Sequence, residues 1–374
     1  MSVPAAGSSW FQRFLLPGFA MKAVIIGGGY ATGRELAEYF LPAGPWGGLA
    51  GMLLAMLLWS VIAAVTFAYA RMTGALDYRA FFADLLGPGW VAFEIAYILF
   101  VVLILAVFGA SAGAIGAAMF GWPDFIGALL LATGILCTVA LGNAAVESVF
   151  KYVSFLLYGV YILFLALSLF RFGDRIATGF ATPAPWHDWA GGGLTYASYN
   201  IIGAVVILPV LRHLTSTRDA VIAGVIAGPL AMLPAILFFT CMVAFYPGIG
   251  VETLPSDFLL RQLHLPVFHW LFQTMIFAAL LESGAGSVHA INERVAGVLR
   301  RRRGVELGAR GRALIAAGLL LICMFVADRI GLIALIASGY RLLAWLFLAV
   351  FVLPLMTIGL SRLLRRPTPK EIAA

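Results

Sequence analysis

The chain consists of long apolar segments joined by short connections, and no polar stretch is long enough to form a soluble domain. Of its 374 residues, 63% are hydrophobic and 11% are charged. Soluble domains average about 25% charged residues. So few charged side chains cannot cover a water-exposed surface, which excludes a soluble enzyme, a nucleic-acid reader and a disordered scaffold. The composition predicts an all-α integral membrane protein.

A bilayer core about 30 Å thick needs about 20 apolar residues per helix. This length divides the chain into ten predicted transmembrane helices. They cover residues 14–41, 46–71, 90–119, 124–142, 150–171, 191–212, 219–246, 265–298, 311–328 and 331–361.

The net charge of +7 is interpreted as loop charge that sets the orientation. With a cytoplasmic N-terminus, the outer loops hold only Arg171, Arg175, Arg261 and Arg329, and most other basic residues fall inside. The run Arg300–Arg303 is interpreted as a topology anchor beside anionic lipid rather than a nucleic-acid site. We therefore expect a multi-pass protein of the cell (inner) membrane with both termini in the cytoplasm.

Ten helices with both ends on one side divide into five plus five, and the second five must run opposite to the first. This is the arrangement of an inverted repeat. The predicted organisation is a cytoplasmic tail (1–13), a first five-helix repeat (14–171), an external loop (172–190), a second repeat (191–361) and a second cytoplasmic tail (362–374).

The first span contains Gly27-Gly28-Gly29-Tyr30-Ala31-Thr32-Gly33. Each glycine costs about 1 kcal/mol relative to alanine inside a helix. An unwound stretch here would present carbonyls to a cation, and a new helix beginning at Thr32–Arg34 would attract an anion. We therefore expect a discontinuous first helix, with Gly27, Gly28, Gly29, Tyr30 and Thr32 in a substrate site. The alternative is close helix packing through Gly29 and Gly33.

The sixth span carries a polar cluster, Ser198, Tyr199 and Asn200, about ten residues into its apolar run. One interpretation is a second discontinuous helix opposite the first, with these three residues binding substrate. The alternative is hydrogen bonding between neighbouring helices.

The string from Gly27 to Glu35 resembles the first-helix signature of the YkvI-like uncharacterised membrane proteins, which usually reads Gly-Ala-Gly-Phe-Ala-Ser-Gly-Gln-Glu. Tyr196–Asn200 and Val288–Arg294 resemble their sixth- and eighth-span motifs. Such proteins are similar to amino acid–polyamine–organocation carriers with the LeuT-type fold. The resemblance implies a substrate site between broken helices 1 and 6, flanked by helices 3 and 8.

Arg34 stands where the family usually has glutamine. Its forked guanidinium could bind a substrate carboxylate through two hydrogen bonds. The alternative is an ion pair with Glu38, one helical turn further along the same helix.

The eighth span carries a polar stripe that includes Glu282, Ser283, Ser287 and His289. Ionisable residues at membrane depth are functional candidates by default. In sodium-coupled relatives, first-helix carbonyls and eighth-helix hydroxyls usually hold the ion. Here the serines are four apart, Glu282 adds a charge, and Lys22 could place its ammonium where sodium would sit. We expect these five residues to couple protons, with sodium as the alternative ion; Lys22 could instead snorkel to the inner face.

These observations predict a secondary active transporter for a small organic solute, an amino acid or related amine or acid, working by alternating access as a proton-coupled symporter. The alternative is a ligand sensor or pore on the same scaffold. Neither a cofactor nor a metal site is expected, because His289 and Glu293 lack a third ligand. The expected partners are the substrate and the lipid bilayer, and the sequence sets no oligomeric state.

Overall fold

The computed structural model describes residues 8–25, 27–141, 143–304 and 306–365, with the backbone alone for 140–158 and 301–303. The outer parts of both predicted tails (1–7 and 366–374) lie outside the described residues. So do the side chains of Lys151 and Arg301–Arg303.

Every regular element in the described residues is a helix. The α-helices are α1 (Leu16–Ile25), α2 (Gly28–Ala31), α3 (Arg34–Tyr39), α4 (Gly44–Thr73), α5 (Tyr78–Leu86), α6 (Trp90–Phe120), α7 (Asp124–Leu141), α8 (Asn143–Ala181), α9 (Trp189–Asn200), α10 (Ile202–Val206), α11 (Thr217–Val243), α12 (Pro255–Leu263), α13 (Pro266–Arg303), α14 (Ala309–Ile330), α15 (Leu332–Ala334), α16 (Tyr340–Phe347) and α17 (Leu360–Arg365). Short 3-10 or π turns precede α1, connect several helices, and join α15 to α17.

Within the described residues, 6 helical stretches are long and apolar enough to cross a membrane. They are Arg34–Thr73, Tyr78–Phe120, Thr217–Val243, Pro266–Arg300, Ala309–Ile330 and Leu332–Arg365, and Asp124–Val139 forms a shorter apolar helix. The ten predicted spans are therefore not all matched by helices of this kind in the described residues. One difference in bounds lies in α8, which continues to Ala181. The predicted external loop over 172–190 is therefore shorter than expected, because Phe172 is buried against Phe245 and extends the packed helix.

The first apolar segment changes direction around its glycines. The helix α1 ends at Ile25, Gly27 is non-helical, and α2 spans only 4 residues before the turn at Thr32 and Gly33. Gly33 has φ +79°, in the left-handed region that favours glycine. The Thr32 hydroxyl donates to the Gly29 carbonyl at 3.1 Å, which occupies a backbone acceptor that the turn leaves without a helical partner.

The sixth segment differs in detail from the predicted interruption at Ser198–Asn200. These residues are helical and form the end of α9, and the chain leaves the α-helical pattern only at Ile201 before α10 begins. The Ser198 hydroxyl donates to Leu194 O, and the Asn200 amide donates to Tyr196 O. Because carbonyls one turn earlier satisfy both side chains, neither polar group requires a break at its own position.

Small residues bring the central helices into close contact. A side chain at Gly224 of α11 would overlap the backbone of Ala64 in α4, and one at Gly193 of α9 would meet the carbonyl of Gly51 at 2.5 Å. Close backbone approach through small residues is typical of helix pairs in membranes. These close contacts hold α9 and α11 against α4, beside the first segment.

We expect Gly33→Ala to lower the free energy of unfolding by about 2–4 kcal/mol, because the left-handed backbone is strained for alanine and the new methyl would lie 2.7 Å from the Phe238 ring. Chemical denaturation of the detergent-purified protein measures this loss. Gly318→Ala in α14 is the matched control, since its methyl would meet nothing within 4 Å. An equal loss in both variants would contradict the role assigned to the Gly33 turn.

Candidate functional site

A small cavity, here called the central cavity, lies between the interrupted first segment and the end of α9. The described residues that line it are Val24, Ile25, Gly27, Glu35, Phe100, Ile104, Tyr199, Asn200, Ile202 and Tyr340. Its volume is about 10 Å³. That is room for roughly one water molecule. The site is therefore nearly closed in this conformation.

The carboxyl of Glu35 is the charged group of the central cavity. Glu35 is 3% exposed, and its Oε2 accepts a hydrogen bond from the Tyr199 hydroxyl at 2.6 Å. Its Oε1 lies where a side chain at Gly29 would be, so the missing Cβ at Gly29 makes room for the carboxyl. The first segment and α9 are thus joined through a buried carboxyl and a phenol.

Arg34 and Glu35 are the first two residues of α3 after the turn at Gly33, and their side chains point in different directions. Successive residues of a helix point about 100° apart. At the beginning of α3 this sends the Glu35 side chain into the central cavity and the Arg34 side chain toward residues 248–263. Glu35 is not one of the predicted site residues, although an acidic residue inside an apolar segment is a sufficient signal for a functional site.

Tyrosine rings form the wall beside Glu35. The centre of the Tyr199 ring lies 4.4 Å from the ring centre of Tyr340 in α16 and 5.9 Å from that of Tyr39 in α3. The Tyr39 hydroxyl donates to the carbonyl of Ile336, which fixes its ring against the last apolar segment. Three segments distant in sequence therefore meet around one carboxyl.

The predicted substrate residues are only partly brought together. Gly27, Tyr199 and Asn200 line the central cavity, and Gly28 and Gly29 form the adjoining turn of α2. Thr32 and Ser198 are buried with their hydroxyls bonded to backbone carbonyls. Tyr30 is fully buried but is not among the described lining residues.

Arg34 is engaged away from the central cavity. Its Nη1 donates to the carbonyls of Gly250 and Glu252 at 2.8 and 3.0 Å, and its Nη2 pairs with Glu38 at 2.9 Å. The ion pair with Glu38, one of the two alternatives for this residue, is therefore present. In this conformation the guanidinium ties α3 to residues 248–263.

The predicted coupling residues lie outside the described lining of the central cavity. Ser283, Ser287, His289 and Glu282 are half-buried on α13, which contacts α2. The Ser287 hydroxyl donates to the carbonyl of Ser283 at 2.9 Å. Lys22 is half-buried in α1, with its Nζ 6.0 Å from the centre of the Phe19 ring.

Polar contacts hold the protein together at both ends of the first segment. At one end the amide of Ser256 donates to the Thr32 carbonyl at 2.9 Å, beside the contacts of Arg34. At the other end Arg13 binds both carboxylate oxygens of Asp219, with Nε and Nη2 at 2.9 and 2.8 Å. Thr215 also donates to Asp219. The central cavity lies between these two contacts along the chain.

A wider cavity of about 830 Å³ lies among α6, α7, α14 and the beginning of the last segment. Its described lining includes Asp124, Asp328 and Ser338. Ser338 precedes Tyr340, a residue of the central cavity, by two positions in the sequence. Asp124 and Asp328 are the charged residues among its described lining. This volume is in the range of small-molecule pockets.

The chain has the fold of LeuT-type membrane transporters. It is similar to a Na+-coupled sialic acid symporter solved substrate-bound and outward-open, with a TM-score of 0.60, 13% identity, and 94% of this chain and 82% of that chain covered. It is also similar to the manganese transporter of Eremococcus coleocola, solved with an aromatic bis-isothiourea compound (TM-score 0.54, 18% identity, 94% and 80% covered). MhsT in complex with L-phenylalanine gives a TM-score of 0.52 at 16% identity, with 96% and 97% covered. These solved structures are of transporters and not of enzymes.

Among curated proteins, the chain is similar to the uncharacterised membrane protein YkvI of Bacillus subtilis (strain 168). The two are 24% identical over 339 residues, which cover 88% of this chain and 92% of YkvI. No family model matches the chain. The fold and this relative together identify a multi-pass membrane protein.

We expect Arg34→Gln to loosen residues 248–263, because hydrogen bonds from a charged group contribute about 1.5–3 kcal/mol each. Amide hydrogen exchange in this segment should accelerate at least about tenfold, as the loss of one such bond implies. Mass spectrometry of the purified protein measures the exchange, and Arg329→Gln, at an exposed arginine, is the matched control. Unchanged protection of 248–263 in Arg34→Gln would show that the arginine does not hold this segment.

Proposed function

We propose that the protein is a secondary active transporter that moves a small organic solute, an amino acid or related amine or acid, by alternating access. Its ten helices would form a five-plus-five inverted repeat, with helices 1 and 6 discontinuous at the substrate site. Both termini would lie in the cytoplasm, and the protein would reside in the cell (inner) membrane.

The observation that carries this proposal is a nearly closed central cavity with a buried carboxyl at the interruption of the first segment. Irregular backbone at membrane depth is tolerated only where it is buried in protein or lines a cavity. An alternating-access carrier also needs a state in which its site is shut off from both sides. The contacts of Arg34 and Arg13 at the two ends of the first segment suit such a state.

The proteins with similar folds support a solute carrier, since one was solved with L-phenylalanine and another is a sialic acid symporter. For the coupling ion we propose protons, with Glu282, Ser283, Ser287 and His289 of α13 and Lys22 of α1 as the coupling residues. A carboxyl can bind and release a proton during a transport cycle, which is the role proposed for Glu282. Sodium is the alternative ion, and the sialic acid symporter is Na+-coupled.

A sensor or a pore on the same scaffold makes different predictions for proteoliposomes. A thermal-shift screen against amino acids, amines and organic acids first identifies a ligand, because ligands that bind the folded state raise its apparent stability. A carrier then accumulates that ligand against its gradient when a pH gradient is imposed. A pore only equilibrates the ligand, and a sensor binds it without accumulation; either result would refute the proposal.

We expect Glu282→Gln to abolish uptake driven by a pH gradient while leaving exchange of labelled for unlabelled ligand intact, because exchange needs no net proton movement. Glu306→Gln is the matched control, since it removes the same charge at an exposed position. Uptake with normal pH dependence in Glu282→Gln would exclude this residue as the coupling group. If uptake by the wild-type protein requires sodium, the coupling ion is sodium and not the proton.

A further inference from the structure

Glu35 is the one charged group among the described residues that line the central cavity. We propose that its carboxylate binds an ammonium group of the solute, so that the transported substrates are small organic cations rather than carboxylates. The proposal rests on the proposed function in one respect: it takes the central cavity to be the substrate site.

The partners of the other buried acids set Glu35 apart. Of the buried acidic residues that the structure describes, Asp219 pairs with Arg13, and Asp257 pairs with Arg261 and His269. Glu35 instead has neutral neighbours: it accepts a hydrogen bond from the Tyr199 hydroxyl and interacts with the Asn200 side-chain amide. A buried carboxylate without a cation is costly, and a ligand ammonium would supply the missing charge.

The surrounding rings favour the same ligand charge. Tyr199, Tyr340 and Phe100 line the central cavity beside the carboxyl, and Tyr39 packs against Tyr199. The face of an aromatic ring carries negative potential, so it attracts an ammonium group and disfavours a carboxylate. The ring wall and Glu35 therefore act in the same direction.

Three donors next to the interruption already have partners. The amide of Gly33 donates to the Tyr30 carbonyl at 3.0 Å, and the amide of Arg34 lies 3.5 Å from the Thr32 hydroxyl oxygen. The Arg34 guanidinium contacts Gly250, Glu252 and Glu38. In this conformation a substrate carboxylate in the central cavity would lie beside the Glu35 carboxylate, whereas the Arg34 guanidinium points to residues 248–263.

The residues of the wider cavity also indicate the sign of the charge on the solute. Asp124 and Asp328 are its charged described residues, and its lining reaches Ser338, close in sequence to Tyr340. A cleft lined by one sign of charge raises the local concentration of ligands of the opposite sign. The two carboxylates of the wider cavity favour a cation over an anion, which is the same sign of charge that Glu35 favours in the central cavity.

Titration of the wild-type protein tests the sign of the charge on the ligand without any substitution. Purified protein is titrated at neutral pH with four probes of similar shape: isoamylamine (cationic), L-leucine (zwitterionic), isocaproamide (neutral) and isocaproate (anionic), with methylamine and phenethylamine added to cover other sizes. We expect the amines to raise the melting temperature, and isocaproate and isocaproamide to leave it unchanged. Stabilisation by isocaproate equal to or above that by the amines, equal stabilisation by sodium chloride alone, or no shift with any amine would overturn the proposal.

Two matched variants then assign the charge to Glu35. We expect Glu35→Gln to lower the affinity for the stabilising amine at least about tenfold, as expected for the loss of one charge-assisted hydrogen bond. Glu306→Gln removes the same charge at an exposed position and should bind the amine as the wild type does. Unchanged amine affinity in Glu35→Gln would overturn the assignment, and the wild-type titration still decides the ligand charge if this variant does not fold.

Failure of this proposal is distinguishable from failure of the proposed function. Amine binding that depends on Glu35 but gives no accumulation in proteoliposomes would keep the cation site and refute the transporter. Accumulation of an anionic solute against its gradient, unaffected by Glu35→Gln, would keep the transporter and refute the cation site.

Discussion

The contact between the Glu35 carboxyl and the Tyr199 hydroxyl is the interaction around which the centre of this protein is arranged. It forms because the chain turns at Gly33 and because Gly29 has no side chain to occupy the position of the carboxyl. Membrane helices ordinarily bury their backbone polar groups in regular hydrogen bonds. Here the first segment is not helical over a few residues, and this interruption places the Glu35 carboxyl at the centre of the protein.

Much of the fold could be predicted from the sequence, because the length and spacing of apolar segments are local properties. The glycine run also indicated where the first segment departs from a helix, since three consecutive glycines have a low helix propensity. The predicted loop at 172–190 was too long, because the burial of Phe172 against Phe245 depends on a partner remote in sequence. Contacts of that kind leave no mark on a local pattern.

The location of the site at the glycine run could be predicted, but the charged residue that faces the central cavity could not. Arg34 and Glu35 are adjacent, and only Arg34 was a predicted substrate residue, with an ion pair to Glu38 as the equal alternative. Which of the two faces the central cavity depends on the orientation of α3 after the turn at Gly33, and the contacts of both side chains are with residues remote in sequence. The side-chain hydrogen bonds of Ser198 and Asn200 to their own helix likewise explain why their polarity does not mark an interruption at those residues.

The short helix α3 links the centre of the protein to one of its ends. It has 6 residues, of which Arg34 holds residues 248–263 and Glu35 contacts Tyr199 of α9. Because both side chains extend from the first turn of one short rigid element, a tilt of α3 that withdraws Arg34 from Gly250 also displaces the Glu35 carboxyl from Tyr199. Under the proposed function, a ligand that binds Glu35 would therefore also act on the contact between α3 and residues 248–263.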